Sequence, residues 1–164
     1  MKRRRIISLA VIVAALVLMV FLLVKTTATD PLIRASSPNK TSAGSAFSVD
    51  VSIENNPGIA VFVIDLKYDE TAFEFVSVEN GGLFENELAV RDRDFDDYHA
   101  IRVMFAELDA FQGDGVLYTA KFIAKSDAPL GKYNFELGYT QGNIVESPEN
   151  QLNPDIANTT VTIS

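Results

Sequence analysis

GIAVFVIDLKYD, residues 58–69, alternates with a period of two. One face carries Ala60, Phe62, Ile64, Leu66 and Tyr68; the other carries Ile59, Val61, Val63, Asp65 and Lys67. Successive side chains of a strand point to opposite sides of its sheet, so the first set marks the core face and keeps Asp65 and Lys67 out of it. Val61 and Val63 are then directed outward, which is the less ordinary half of the pattern.

The same period extends on both sides of this strand. Phe47, Val49, Val51 and Ile53 alternate with Ser48, Asp50, Ser52 and Glu54, and Asn55-Asn56-Pro57-Gly58 turns the chain into the next strand. Downstream, strands are expected at Phe73–Val78, Leu88–Arg91, Ile101–Ala106, Val116–Ala124, Tyr133–Tyr139 and Thr159–Ile163, with a short edge strand at Ile33–Ser36. Turn chemistry separates them: PNKTSAGS at 38–45, Asn80-Gly81-Gly82, Gly113-Asp114-Gly115 and Pro129-Leu130-Gly131. Glu146–Asn158 reads as a long Pro/Asn-rich loop. About nine short strands at regular spacing, with no sustained helical period, predict an all-β sandwich.

The first 28 residues stand apart. Ile6–Val24 is an apolar run of 19 residues broken only by Ser8, behind the basic head Lys2-Arg3-Arg4-Arg5 and ahead of Lys25. A basic head favours the cytoplasmic side, so the remainder is expected to be exported. The run is long enough for an uncleaved membrane-anchoring helix, while Thr26-Thr27-Ala28 offers a weak cleavage site for a signal peptide, and both readings stay open. The expected division is therefore 1–28 as anchor or signal, 29–31 as linker and 32–164 as one domain. It places that domain outside the cell or at its surface.

Charge and composition exclude several classes of function. The chain holds 14 Lys and Arg against 22 Asp and Glu; removing the 5 basic residues of positions 1–28, where there is no acid, leaves 9 against 22, a net charge of −13. Such a domain repels phosphate backbones, which argues against nucleic acid as a partner. The absence of cysteine excludes disulfides and thiolate metal sites. A lone histidine, His99, excludes a multi-histidine metal cluster, and it reads as an exposed loop residue behind Asp96, Asp97 and Tyr98. No nucleophile elbow, zinc-protease motif or phosphate-binding glycine loop is present, and no carboxylate pair stands out for glycoside hydrolysis. RDRDFDD at 91–97 has the acid density of a calcium loop without its glycine turn, so a solvated strand edge with local ion pairs is expected there. The reading is non-enzymatic.

Ile101–Ala106 repeats the pattern of the first strand: Ile101, Val103 and Phe105 inward, Arg102, Met104 and Ala106 outward. If the two strands are neighbours, Val61, Val63, Met104 and Ala106 form an apolar patch rimmed by Asp65, Lys67, Arg102 and Glu107. Such a patch suits a protein interface better than a sugar site.

Pro57-Gly58-Ile59, Tyr68-Asp69, VMFAE at 103–107, GDGVLYTAKFIA at 113–124 and APLGKYNFEL at 128–137 follow one another in an order that resembles the cohesins, scaffold modules that bind dockerins. The resemblance covers nearly all of residues 32–164. It implies a nine-stranded jelly-roll β-sandwich, here preceded by an N-terminal hydrophobic helix, that docks a dockerin-bearing enzyme or scaffold of polysaccharide degradation. It puts Val61, Val63, Met104, Ala106 and Glu107 on or beside the docking face. With Asp65, Lys67, Phe95 and Arg102 these make the candidate partner-binding set. The resemblance also implies no cofactor of the chain's own, the calcium of such pairs belonging to the dockerin. Positions matching Val61 and Val63 tend to be polar in the best-known cohesins, and this departure leaves the dockerin class open. The alternative is a carbohydrate-binding module, for which Phe95, Tyr98, Phe111 and Tyr139 are the candidate stacking residues in a chain without tryptophan.

Overall fold

Phe47, Val49, Val51 and Ile53 lie buried on one side of the nine-residue strand β3 (Ala46–Glu54), and the polar residues between them stay part-exposed. The pattern recurs in the other long strands, and their buried sides face one another across a sandwich. The computed structural model describes residues 29–95, 98–147 and 150–164. The expected N-terminal helix, anchor or signal, lies outside the described residues.

One sheet has five strands in the order β12 (Asp155–Ala157), β1 (Leu32–Ser36), β3, β8 (Gly115–Ala124) and β5 (Phe73–Asn80). The other has eight. Its centre is β4 (Ile59–Lys67), which pairs along one edge with β7 (His99–Phe111), itself flanked by the edge strand β6 (Ala89–Asp94). The opposite edge of β4 is shared. Its first half pairs with β10 (Ile144–Ser147), which leads to β11 (Asn150–Gln151). Its second half pairs with β9 (Gly131–Gly138), followed by β13 (Thr159–Ile163) and β2 (Lys40–Thr41). No helix occurs among the described residues, and none is long and apolar enough to cross a membrane.

Two aromatic clusters fill the space between the sheets. Phe47, Phe73, Phe122 and Phe135 meet near Tyr68, with Phe73 and Phe135 centroids 5.1 Å apart. Towards the other end Phe62 stacks on Phe105 at 5.3 Å, and Phe84 and Phe111 close over them. Burial of each such ring contributes about 1.5–3 kcal/mol, which lets a domain without disulfides hold together.

The expected strands are all present, and the differences lie where pairing partners decide. The reading of 146–158 as a loop is corrected: β10 reaches Ser147, and β11 and β12 follow within that range, each held by a neighbour that the local composition does not announce. The turn segment 38–45 contributes β2 to the edge of β13. Among the described residues there are thirteen strands instead of about nine, the extra ones being two to four residues long.

Candidate protein-docking face

The register between β4 and β7 sets Val61 opposite Ala106, Val63 opposite Met104, Asp65 opposite Arg102 and Lys67 opposite Ala100. Directly paired residues share a face of the sheet, so the outward residues of both strands form continuous rows. The neighbours extend them: Ala89 of β6 stands beside Met104, and Val145 of β10 beside Val61. Sequence patterning did not assign Ala89 and Val145 to this face: β6 alternates arginine with aspartate instead of apolar with polar residues, and β10 is too short for an alternation to be read.

Two structures frame the apolar centre. At one end β7 carries an insertion in its pairing with β4, so that Glu107–Ala110 stand opposite Ala60 alone. Leu108, at its crest, is fully exposed. Between this crest and Leu83–Asn86 runs an open groove of about 520 Å³ with Glu85, Glu107 and Asp109 on its walls. At the other end Phe95 and Tyr98, next to the ends of β6 and β7, cover the sheet. Phe95 and Tyr98 stack with centroids 4.8 Å apart; Arg93 and Arg102 lie over Phe95 at 4.4 and 4.5 Å, and Lys67 Nζ over Tyr98 at 4.0 Å.

Beneath that stack Asp65 is buried, which corrects its expected place on an open rim. It points outward as alternation requires, but Arg102 donates to it through Nε (2.7 Å) and Nη2 (2.8 Å), and the Tyr98 hydroxyl donates at 3.1 Å. The Asp65 carboxylate raises the Arg102 guanidinium above its ordinary pKa. Lys67, Phe95, Arg102 and Glu107 stay partly exposed around the face, and Ala106 is open.

His99 is also corrected. It is the first residue of β7, with a side chain only 15% exposed, and not a loop residue. Its Nε2 lies 2.8 Å from Asp92 and 3.0 Å from the Tyr68 hydroxyl, and its Nδ1 lies 2.8 Å from Asp94. Burial works against a charge on the ring, but the hydrogen bonds with Asp94 and Asp92 outweigh it and raise the imidazole above its usual value.

The candidate sugar-stacking residues do not form a row. Phe111 belongs to the core, Phe95 and Tyr98 spend their faces on each other and on cations, and Tyr139 is half-buried with its hydroxyl on the Pro154 carbonyl at 2.9 Å.

The cohesin domain family matches residues 35–163. The chain belongs to the cohesin family. Solved cohesins share its fold. A non-cellulosomal cohesin from the archaeon Archaeoglobus fulgidus is 24% identical, with a TM-score of 0.68 over 83% of this chain and 92% of that one. The seventh ScaB type I cohesin of Pseudobacteroides cellulosolvens is 19% identical, with a TM-score of 0.70 over 82% and 92%. The third ScaC cohesin of Acetivibrio cellulolyticus, solved in complex with the ScaB dockerin, is 21% identical, with a TM-score of 0.69 over 81% and 98%. A comparison with curated proteins returned no match.

Proposed function

We propose that this cohesin is a non-catalytic docking module that binds a dockerin-bearing protein, an enzyme or scaffold of polysaccharide breakdown, outside the cytoplasmic membrane. The observation that carries the reading is the outward side of β4 and β7: Val61, Val63, Met104 and Ala106 lie in adjacent paired positions on one face, none of them in the core. A cluster of this kind without sugar-stacking aromatics fits a protein partner. The A. cellulolyticus cohesin seen with its dockerin supports the partner class. The polysaccharide setting is the less specific part, since the A. fulgidus relative is a non-cellulosomal cohesin.

The test is capture of dockerin modules by the immobilised chain, with calcium and with chelator. Capture in calcium, loss in chelator, and weakening by at least tenfold in Val63→Asp are expected. A charge buried at the centre of an interface without a partner costs more than the 1.4 kcal/mol that tenfold represents. Failure to capture any dockerin, with or without calcium, would reduce the relationship to one of fold.

A further inference from the structure

Away from the docking face, at the open edge of the sandwich, three segments bring ligand-type atoms together. Glu70 follows β4, Asp94 ends β6 and His99 begins β7; one ligand atom from each lies within 4.8 Å of the others. Asp94 Oδ1 is 2.8 Å and Glu70 Oε2 3.5 Å from His99 Nδ1. Two ligands of one zinc ion at ~2.0–2.1 Å in tetrahedral geometry stand roughly 3.3 Å apart, so Glu70 is near its place. Asp94 need only open by a few tenths of an ångström, and its side chain is 82% exposed and free to do so.

The ring is also oriented as a metal ligand is. Asp92 Oδ1 takes a hydrogen bond from the Tyr68 hydroxyl at 3.0 Å and lies 2.8 Å from His99 Nε2. Nε2–H donates to that carboxylate, so a metal that displaces the Nδ1 proton would be held at the nitrogen facing Asp94 and Glu70. A carboxylate fixing the far nitrogen of a ligating imidazole is the usual outer arrangement of histidine metal sites.

Charge gives the independent reason. Three carboxylates surround one imidazole, and among the described residues none of the three forms an ion pair with lysine or arginine. A field of that sign draws a cation to this cluster.

The geometry points to a divalent transition-metal site, zinc being the best match, formed by His99 Nδ1, Asp94 and Glu70 and completed by water. One nitrogen and two carboxylates suit zinc and its first-row neighbours, whereas calcium asks for six to eight oxygens. The site is independent of the docking reading.

The test is titration of the tag-free full chain, held in detergent, with zinc chloride and with calcium chloride. Heat of binding and the imidazole nitrogen signals are followed; His99 is the only histidine, so the spectrum reports one ring. One zinc per chain, with a large shift of Nδ1 and no response to calcium, is expected. Asp94→Asn and Glu70→Gln, both on exposed side chains, should each weaken zinc at least tenfold, and Asp92→Asn by about 10–100-fold through the ring. No binding, or binding unchanged in Asp94→Asn and Glu70→Gln, would overturn the assignment.

Discussion

Asp65 and Arg102 show how one register position turns two outward residues into a buried pair. The carboxylate is nearly enclosed, and Arg102 keeps about a quarter of its side-chain surface in water. Asp65→Ala would leave the guanidinium without its two hydrogen bonds under the Phe95–Tyr98 stack. Loss of one partner of a fully buried pair costs ~3–5 kcal/mol; with Arg102 partly solvated, about 2–3 kcal/mol is expected, measured as a lower urea midpoint. Tyr118 behaves in the opposite way. Its hydroxyl is buried with no hydrogen-bond partner among the described residues. Tyr118→Phe removes a desolvated group at little cost in packing, so stability should stay level or rise by about 1 kcal/mol in the same measurement. Neither residue's state is visible in sequence. Alternation gives Asp65 its direction, but what covers it is Tyr98 together with Arg102.

At the scale of elements, the joint between β5 and β8 depends on Gly81. A Cβ there would sit 2.0 Å from the Val116 carbonyl oxygen, and the Gly81 amide donates to the Leu117 carbonyl at 3.0 Å. The obstacle is backbone, so no side-chain rotation relieves it. Gly81→Ala should cost at least about 1–3 kcal/mol, the range of overpacked sites, and should lower the thermal midpoint. By contrast Gly82, beside it, has open space. The sequence marked Asn80-Gly81-Gly82 as a turn but could not tell which glycine bears on a neighbouring strand. The insertion Glu107–Ala110 has the same status. Its residues read as an ordinary strand end, and only the pairing of Ile59 with Phe111 forces them outward and exposes Leu108.

Across the whole molecule, the tyrosines set the alkaline limit of stability. Burial raises Tyr68, Tyr98, Tyr118 and Tyr139 above the ordinary tyrosine value, with Asp92 adding to the shift at Tyr68 and Asp65 at Tyr98 and Tyr118. In the unfolded chain they ionise near pH ~10, while in the folded protein they hold their protons. The unfolded state therefore loses protons first. Stability from these groups is fully present below pH ~10 and falls as the pH climbs through the folded values. Tyr118 alone should contribute a loss of about 1.4 kcal/mol per pH unit in that window. Urea midpoints between pH 8 and pH 11 should fall with rising pH, and the tyrosinate absorbance of these four residues, followed in parallel, should rise only as the protein unfolds.

The sequence by itself determined the strands whose alternation spans five or more residues, their core faces, the sandwich class and the outward direction of Val61, Val63, Met104 and Ala106. These follow from local chemistry: a period of two and the cost of burying charge act on one segment at a time. The tertiary structure alone decided that β4 and β7 are neighbours, that Ala89 and Val145 widen their face, that 146–158 holds strands, and that Asp65 is covered. It also gathered Glu70, Asp92, Asp94 and His99 at one edge, although His99 had read as a loop residue. Each of these depends on which distant segment supplies a hydrogen-bonding edge or a covering side chain. That choice is settled by the closure of the two sheets around a shared aromatic core, and no single segment encodes it.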